Sequence, residues 1–163
     1  MYVFWIARRS ATADWAPIAL ALYRKWSGRA VGELRHAPNG RPIADGAYIS
    51  VSHTDGMSAI ALADVPVGID VERKDRPISQ ALGTIADWTR KEAYAKMRGS
   101  GLTGQIVRGD VPIAPYAELD VSAEHVATVC CADTVRWVYR VPEDLPSIGS
   151  GNADADVGIR DKR

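Results

Sequence analysis

Disulfide chemistry is nearly absent from this chain. Its 163 residues hold two cysteines, Cys130 and Cys131, and they are neighbours. Adjacent cysteines rarely bridge each other, because the bond geometry strains the peptide between them. They sit in an apolar run, His125 to Ala132, and read as small buried residues rather than as a redox pair or metal ligands. Without a disulfide framework there is no argument for secretion. Too few apolar residues precede Arg8 and Arg9 for a signal peptide. No apolar run approaches the about 20 residues of a membrane span. The expectation is a cytoplasmic protein with no membrane partner. A surplus of one charge sign is missing too. Lys+Arg and Asp+Glu both number 20, which removes the cationic excess that nonspecific nucleic-acid binding needs. A local basic pocket for one anionic ligand is still compatible with that balance.

What remains is the composition of an ordinary globular protein, 47% apolar and 25% charged. The length suits one domain, or two small lobes sharing a core. Tyr2 to Ala7 reads as a first strand. From Thr12 to Trp26, apolar residues at Trp15, Ile18, Ala19, Leu22 and Trp26 mark one helical face. Gly28 ends that helix, with Arg24 and Lys25 in the last turn, where the dipole favours cations. Three short segments, Ala47–His53, Met57–Ala63 and Val67–Glu72, are joined by turn-like sequences and read as a meander. A second helix is expected from about Gln80 or Thr84 to Met97, stopped by Gly99 and Gly101. The residues Thr103 to Pro115 read as irregular. Two strands, His125–Ala132 and Val135–Val141, read as a hairpin around Asp133-Thr134. The polar tail from residue 146 to 163 reads as disordered.

Chemistry concentrates in three places. In Gly68-Ile69-Asp70-Val71-Glu72 the two acids are two apart on a strand, so they project from one face while Ile69 and Val71 point into the core. Two adjacent anions repel unless something cationic lies between them, and magnesium typically takes one or two carboxylates together with phosphate and water. Taken alone, the pair also fits a solvated acidic strand end. In the second helix Trp88, Glu92 and Lys96 are each four apart and share a face. Glu92 and Lys96 alone would fit a surface ion pair. The third place is Ser50-Val51-Ser52-His53, where alternation separates Ser50 and Ser52 from Val51 and His53. Upstream lies Arg41, in the loop Asn39-Gly40-Arg41-Pro42.

Taken together and in this order, Asn39 to Pro42, Ser50 to His53, Gly68 to Glu72, and Trp88-Thr89-Arg90-Lys91-Glu92-Ala93-Tyr94-Ala95-Lys96-Met97-Arg98-Gly99-Ser100-Gly101-Leu102 resemble the 4′-phosphopantetheinyl transferase superfamily. The likeness is greatest to its Sfp-type (surfactin-synthetase activator) branch. It runs from about Asn39 to Leu102 and continues more weakly to about Leu145. The resemblance implies a Mg²⁺-dependent enzyme that uses coenzyme A. A serine hydroxyl on an acyl or peptidyl carrier protein would attack the β-phosphate, and 3′,5′-adenosine bisphosphate would leave. By matching positions, Asp70, Glu72 and Glu92 would bind the metal. His53, with Ser52 beside it, would meet the phosphates, and Arg41 would lie close to the nucleotide. Lys91 and Lys96 would neutralise the pyrophosphate, with Glu92 and Lys96 closest to the chemistry. Arg8 or Arg9 would add a further phosphate contact.

This chain departs from that pattern in length. Glu72 and Glu92 are only 20 positions apart, where the branch usually has a longer insertion with a helix, part of the carrier-docking surface and a proposed general-base glutamate. Between Arg73 and Asp87 only Asp75 and Asp87 are acidic, and neither matches that glutamate by motif. The expected architecture is α+β, with two related lobes about a pseudo-twofold, each a small antiparallel sheet with a helix packed on it. The domain would cover residues 1–145, lobe one about 1–72 and lobe two about 73–145, with coenzyme A in the cleft between them. A monomer is expected. Two other readings stand: a shortened, non-catalytic coenzyme A-binding module, and an unrelated Mg²⁺-dependent phosphohydrolase.

Overall fold

The computed structural model describes residues 1–7, 12–38, 41–102, 106, 107, 109 and 115–141. Arg8, Arg9, Asn39, Gly40, most of the irregular stretch before Pro115, and the tail expected to be disordered lie outside the described residues. The protein is α+β, and its described residues form helices of 16 and 14 residues and three small sheets rich in antiparallel pairs.

Strand alternation builds the layers. Strand β1 (Tyr2–Ile6) sends Tyr2, Phe4 and Ile6 to one side and Val3 and Trp5 to the other. Helix α1 (Thr12–Ser27) covers the first side with Ala16, Ala19, Leu20 and Tyr23, all buried. The buried stripe is therefore rotated from the expected one. Ala19 belongs to both, but Ile18, Leu22 and Trp26 lie at its partly buried margin, because the small Ala16 and the long Tyr23 fit closer to the sheet. Short strands β2 (Arg35–His36) and β3 (Pro42–Ile43) form a two-stranded ribbon. Strands β4 (Tyr48–Thr54) and β5 (Met57–Ala63) form a hairpin closed by Asp55-Gly56, with Gly56 at φ +76°. Every residue of β5 is buried, as its small and apolar composition predicts.

Strand β6 (Val67–Arg73) does not complete a meander. The second edge of β5 is taken by β1, with Phe4 opposite Ile60, so β6 crosses to another sheet. There it pairs with β8 (His125–Cys131), whose other edge takes β7 (Tyr116–Leu119). Both edges of β8 are thus filled, and the expected final hairpin does not form either. Strand β9 (Trp137–Arg140) returns to the first sheet and runs parallel to β1. The strand orders are β4-β5-β1-β9 and β6-β8-β7. The two sheets face each other through a shared core of Val3, Ala59, Ala61, Val67, Ile69, Val71, Ala127 and Val129. His125 adds a polar tie, with Nε2 2.8 Å from the Asp55 carbonyl oxygen and Nδ1 2.8 Å from Ser122 Oγ.

Helix α2 (Ile85–Arg98) covers the outer face of the second sheet. Thr84 caps it, and Asp87 bonds back to the Thr84 backbone in a capping box. A 3-10 turn, Gln80–Leu82, precedes it, and Gly99 ends it at φ 66°. Gly68 sets how closely α2 approaches β6. A Cβ at that position would run into the Ala93 carbonyl oxygen and the Met97 nitrogen. The layers therefore run α1, first sheet, second sheet, α2. Among the described residues no helix is long and apolar enough to cross a membrane.

Candidate functional site

The outer face of β6 carries Asp70 and Glu72 under α2, while Ile69 and Val71 fill the core, as alternation predicts. The two acids are not a solvated strand end. Asp70 is 1% exposed and Glu72 6%. Glu92 comes down from α2, and one carboxylate oxygen from each of the three residues lies within 4.8 Å of the others.

The serines of β4 explain how β6 can carry buried acids at its edge. Ser50 Oγ accepts from Ile69 N at 3.0 Å, and Ser52 Oγ from Val71 N at 3.2 Å. These hydroxyls replace a backbone ladder where the two sheets part, so no donor on that edge is left stranded there. Ser52 also donates to Asp70 Oδ1 at 2.8 Å and accepts from Lys96 Nζ at 3.0 Å. Lys96 Nζ lies 2.7 Å from Asp70 Oδ1. The lysine therefore reaches across to β6 and does not simply decorate its own helix.

Asp70 Oδ1 is well supplied, but Asp70 Oδ2 is buried with no hydrogen-bond partner. An unpaired buried acceptor is costly. A proton carried by Glu92, a water or a cation would satisfy it. Burial, and after it the charge of the nearby Asp70 carboxylate, pushes Glu92 up to about 7. Without a cation Glu92 is the carboxyl driven toward its protonated form. The all-oxygen donor set and the unpartnered Asp70 oxygen fit a hard divalent ion. Glu72 is more committed: Oε1 pairs with Arg76 Nη1, and Oε2 accepts from Thr54 Oγ1 at 3.3 Å.

Beside the cluster is a cleft of about 300 Å³, bounded by Arg41, Ile49, Ser50, Glu92, Lys96 and Leu102 among others. Arg41 Nη1 stands over the end of α2, 2.9 Å from where a Gly99 Cβ would be. The negative pole of the helix favours a cation there. Asp70, Glu72, Glu92, Lys96, Ser52 and Arg41 thus converge on one region. Lys91 does not join them. It is buried, and its Nζ donates to the carbonyls of Leu82 and Val107. Adjacent positions on a helix point about 100° apart, which carries Lys91 away from the face of Glu92. His53 is exposed on the opposite face of β4 from Ser52.

The two acids of the short 73–87 segment are both occupied. Asp75 forms a bidentate pair with Arg73, which holds its carboxyl below the usual range. Asp87 is held low by the backbone and hydroxyl of Thr84. The cysteines are buried and unbridged, and burial raises Cys130 to about 12. Sequence reasoning passed over Arg76, Thr54 and Ser50. Arg76 lies four residues after Glu72, a spacing that could have flagged it, and Ser50 shares the strand face of Ser52. Thr54, two residues beyond Ser52, shares that face too.

No protein-family model matches the chain, and no curated protein matches it.

Proposed function

We propose that this protein transfers the 4′-phosphopantetheine arm of coenzyme A to a serine of an acyl or peptidyl carrier protein, with magnesium as its cofactor. The observation that carries the reading is the cluster of buried Asp70 and Glu72 with half-buried Glu92, with Asp70 Oδ2 unpartnered, beside a cleft bounded by Lys96 and Arg41. The same residues lie in the motifs that resemble the phosphopantetheinyl transferases. Asp70, Glu72 and Glu92 would hold the ion. When bound, it offsets negative charge on the reacting phosphate oxygens.

The rest of the mechanism rests on side chains of this chain. Lys96, fixed by Asp70 and Ser52, presents its charge at the wall of the cleft, where a pyrophosphate would lie. Arg41, which also lines the cleft, suits the nucleotide phosphate. The carrier serine oxygen bonds to the β-phosphorus as 3′,5′-adenosine bisphosphate departs. Glu92 would serve as one of the carboxylates that hold the ion, and the serine proton passes to the departing phosphate or to water. A cytoplasmic location goes with this reading.

One observation favours a second reading, a coenzyme A-binding module without transfer. Both acids of the short segment are tied up, Asp75 by Arg73 and Asp87 by the helix cap, so that segment offers no spare base. A mass spectrum of apo carrier protein after incubation with coenzyme A and Mg²⁺ separates the readings. A gain of the phosphopantetheine mass on serine supports transfer. An unchanged carrier with coenzyme retained on the protein supports the module. Coenzyme cleaved without a loaded carrier supports a phosphohydrolase.

A further inference from the structure

The turn after β6 holds three cations, Arg73, Lys74 and Arg76, and the structure separates their roles. Arg73 is clamped by Asp75 through Nε and Nη2. Lys74 faces away, with Nζ 2.9 Å from the Ala123 carbonyl oxygen and its backbone N–H bonded to the Glu124 carbonyl. Arg76 alone of the three turns toward the acidic cluster, where Nη1 pairs with Glu72 Oε1. The two ends of this pair differ in exposure: the Glu72 side chain is 8% exposed and that of Arg76 45%. One guanidinium nitrogen is anchored on a buried carboxylate, while nearly half of the side chain faces solvent. Arginine carries five donors in a rigid fork that matches phosphate oxygens.

We propose that Arg76 is an anion-binding residue of this site, positioned by Glu72 to meet a phosphate of the cation-bound ligand. This rests on the reading of the cluster as a divalent-ion and phosphate site. Charge gives the reason for a second cation. Three ionised carboxylates against Lys96 and Arg76 leave one negative charge. A divalent ion turns the cluster to one positive charge, which draws an anion. Without Arg76 the loaded cluster would be neutral and that draw would vanish. Thr54, on the other Glu72 oxygen, fixes the direction from which the carboxylate holds the arginine.

The test uses the full chain and two probes, Mg²⁺ alone and the magnesium complex of inorganic pyrophosphate, each titrated by calorimetry. Arg76→Met should weaken the pyrophosphate complex about tenfold or more, the scale of a lost charge-assisted contact. Its affinity for Mg²⁺ alone should stay within about threefold or rise, because a competing cation has gone. Arg76→Lys should fall between Met and wild type, since lysine keeps the charge but not the fork. A merely structural ion pair would lower the melting temperature in Arg76→Met and leave pyrophosphate affinity unchanged. That result, or no binding of the complex by the wild-type protein, overturns the proposal. Failure of the transfer reading would look different: the wild-type protein would bind the complex in an Arg76-dependent way, yet load no carrier from coenzyme A.

Discussion

The two helices cover their sheets by opposite means. Helix α1 lies on the first sheet through Ala16, Ala19, Leu20 and Tyr23, packed against Phe4, Ile6, Ile60 and Leu62. The ionisable side chains buried on that face among the described residues are the phenols of Tyr2 and Tyr23, and burial raises the Tyr23 pKa. Helix α2 lies on the second sheet over Asp70, Glu72 and Thr128, and sends down Thr89, Glu92 and Lys96. Apolar packing contributes stability in proportion to buried area. A layer of buried charges contributes little net stability and often costs some. The first interface is the kind that holds a fold together. The second gathers charges that a bound cation would compensate.

That contrast can be broken at several points, and the largest effect belongs to α1. Leu20→Ala should lower unfolding free energy by about 2–5 kcal/mol, measured by urea denaturation, while Mg²⁺ affinity of the folded protein stays unchanged. A comparable loss of Mg²⁺ affinity would mean that the two layers are coupled. Gly68→Ala comes next. Its new Cβ meets the Ala93 carbonyl, so α2 must lift. The expected cost is about 1–3 kcal/mol, and here Mg²⁺ affinity should fall as well, because Glu92 and Lys96 move with the helix.

A third prediction uses pH. The folded-state pKa of Glu92 is raised to about 7 from the usual 4.5. A raised pKa favours the protonated folded form, so the stability it confers is complete below about 4.5 and is lost as pH climbs through about 7. The metal-free protein should show a melting temperature that declines across that window. Glu92→Gln should flatten the decline, and Mg²⁺ should offset it above pH 7. A wild-type profile that is flat between pH 4.5 and 7.5 would remove the account of Glu92 as a carboxyl with a raised pKa. The smallest effect is at the cap. Thr84→Ala should cost about 1 kcal/mol, measured by thermal melting, with site affinities intact.

Much of this contrast is legible in the sequence where a period is strict. Alternation in Gly68 to Glu72 places Asp70 and Glu72 opposite Ile69 and Val71, and the structure keeps that arrangement. The spacing of Glu92 and Lys96 likewise puts both over β6. Helix ends follow Thr84 and Gly99. Strand partners are not local, and there the reading of the sequence diverges. Nothing in Val67 to Glu72 says that the edge of β5 belongs to the N-terminal strand, and nothing in Trp137 to Arg140 announces a return to β1. Lys91 shows the limit of motif transfer, since position 91 lies on a different side of the helix from position 92 and finds backbone carbonyls instead. Arg76 shows the converse, because its meaning depends on Arg73 being captured by Asp75.

The claim that the α2 layer exists to bind a divalent cation is tested most directly by counting ions. Mn²⁺, as a spin-visible substitute for Mg²⁺, can be titrated at pH 7.5 into the wild-type protein and into Asp70→Asn, which keeps the side-chain shape and loses the charge. The account predicts one saturable site per chain in the wild type and loss of that site in the variant, with both proteins folded. Equal binding by the two proteins, or no saturable site in the wild type, would contradict it.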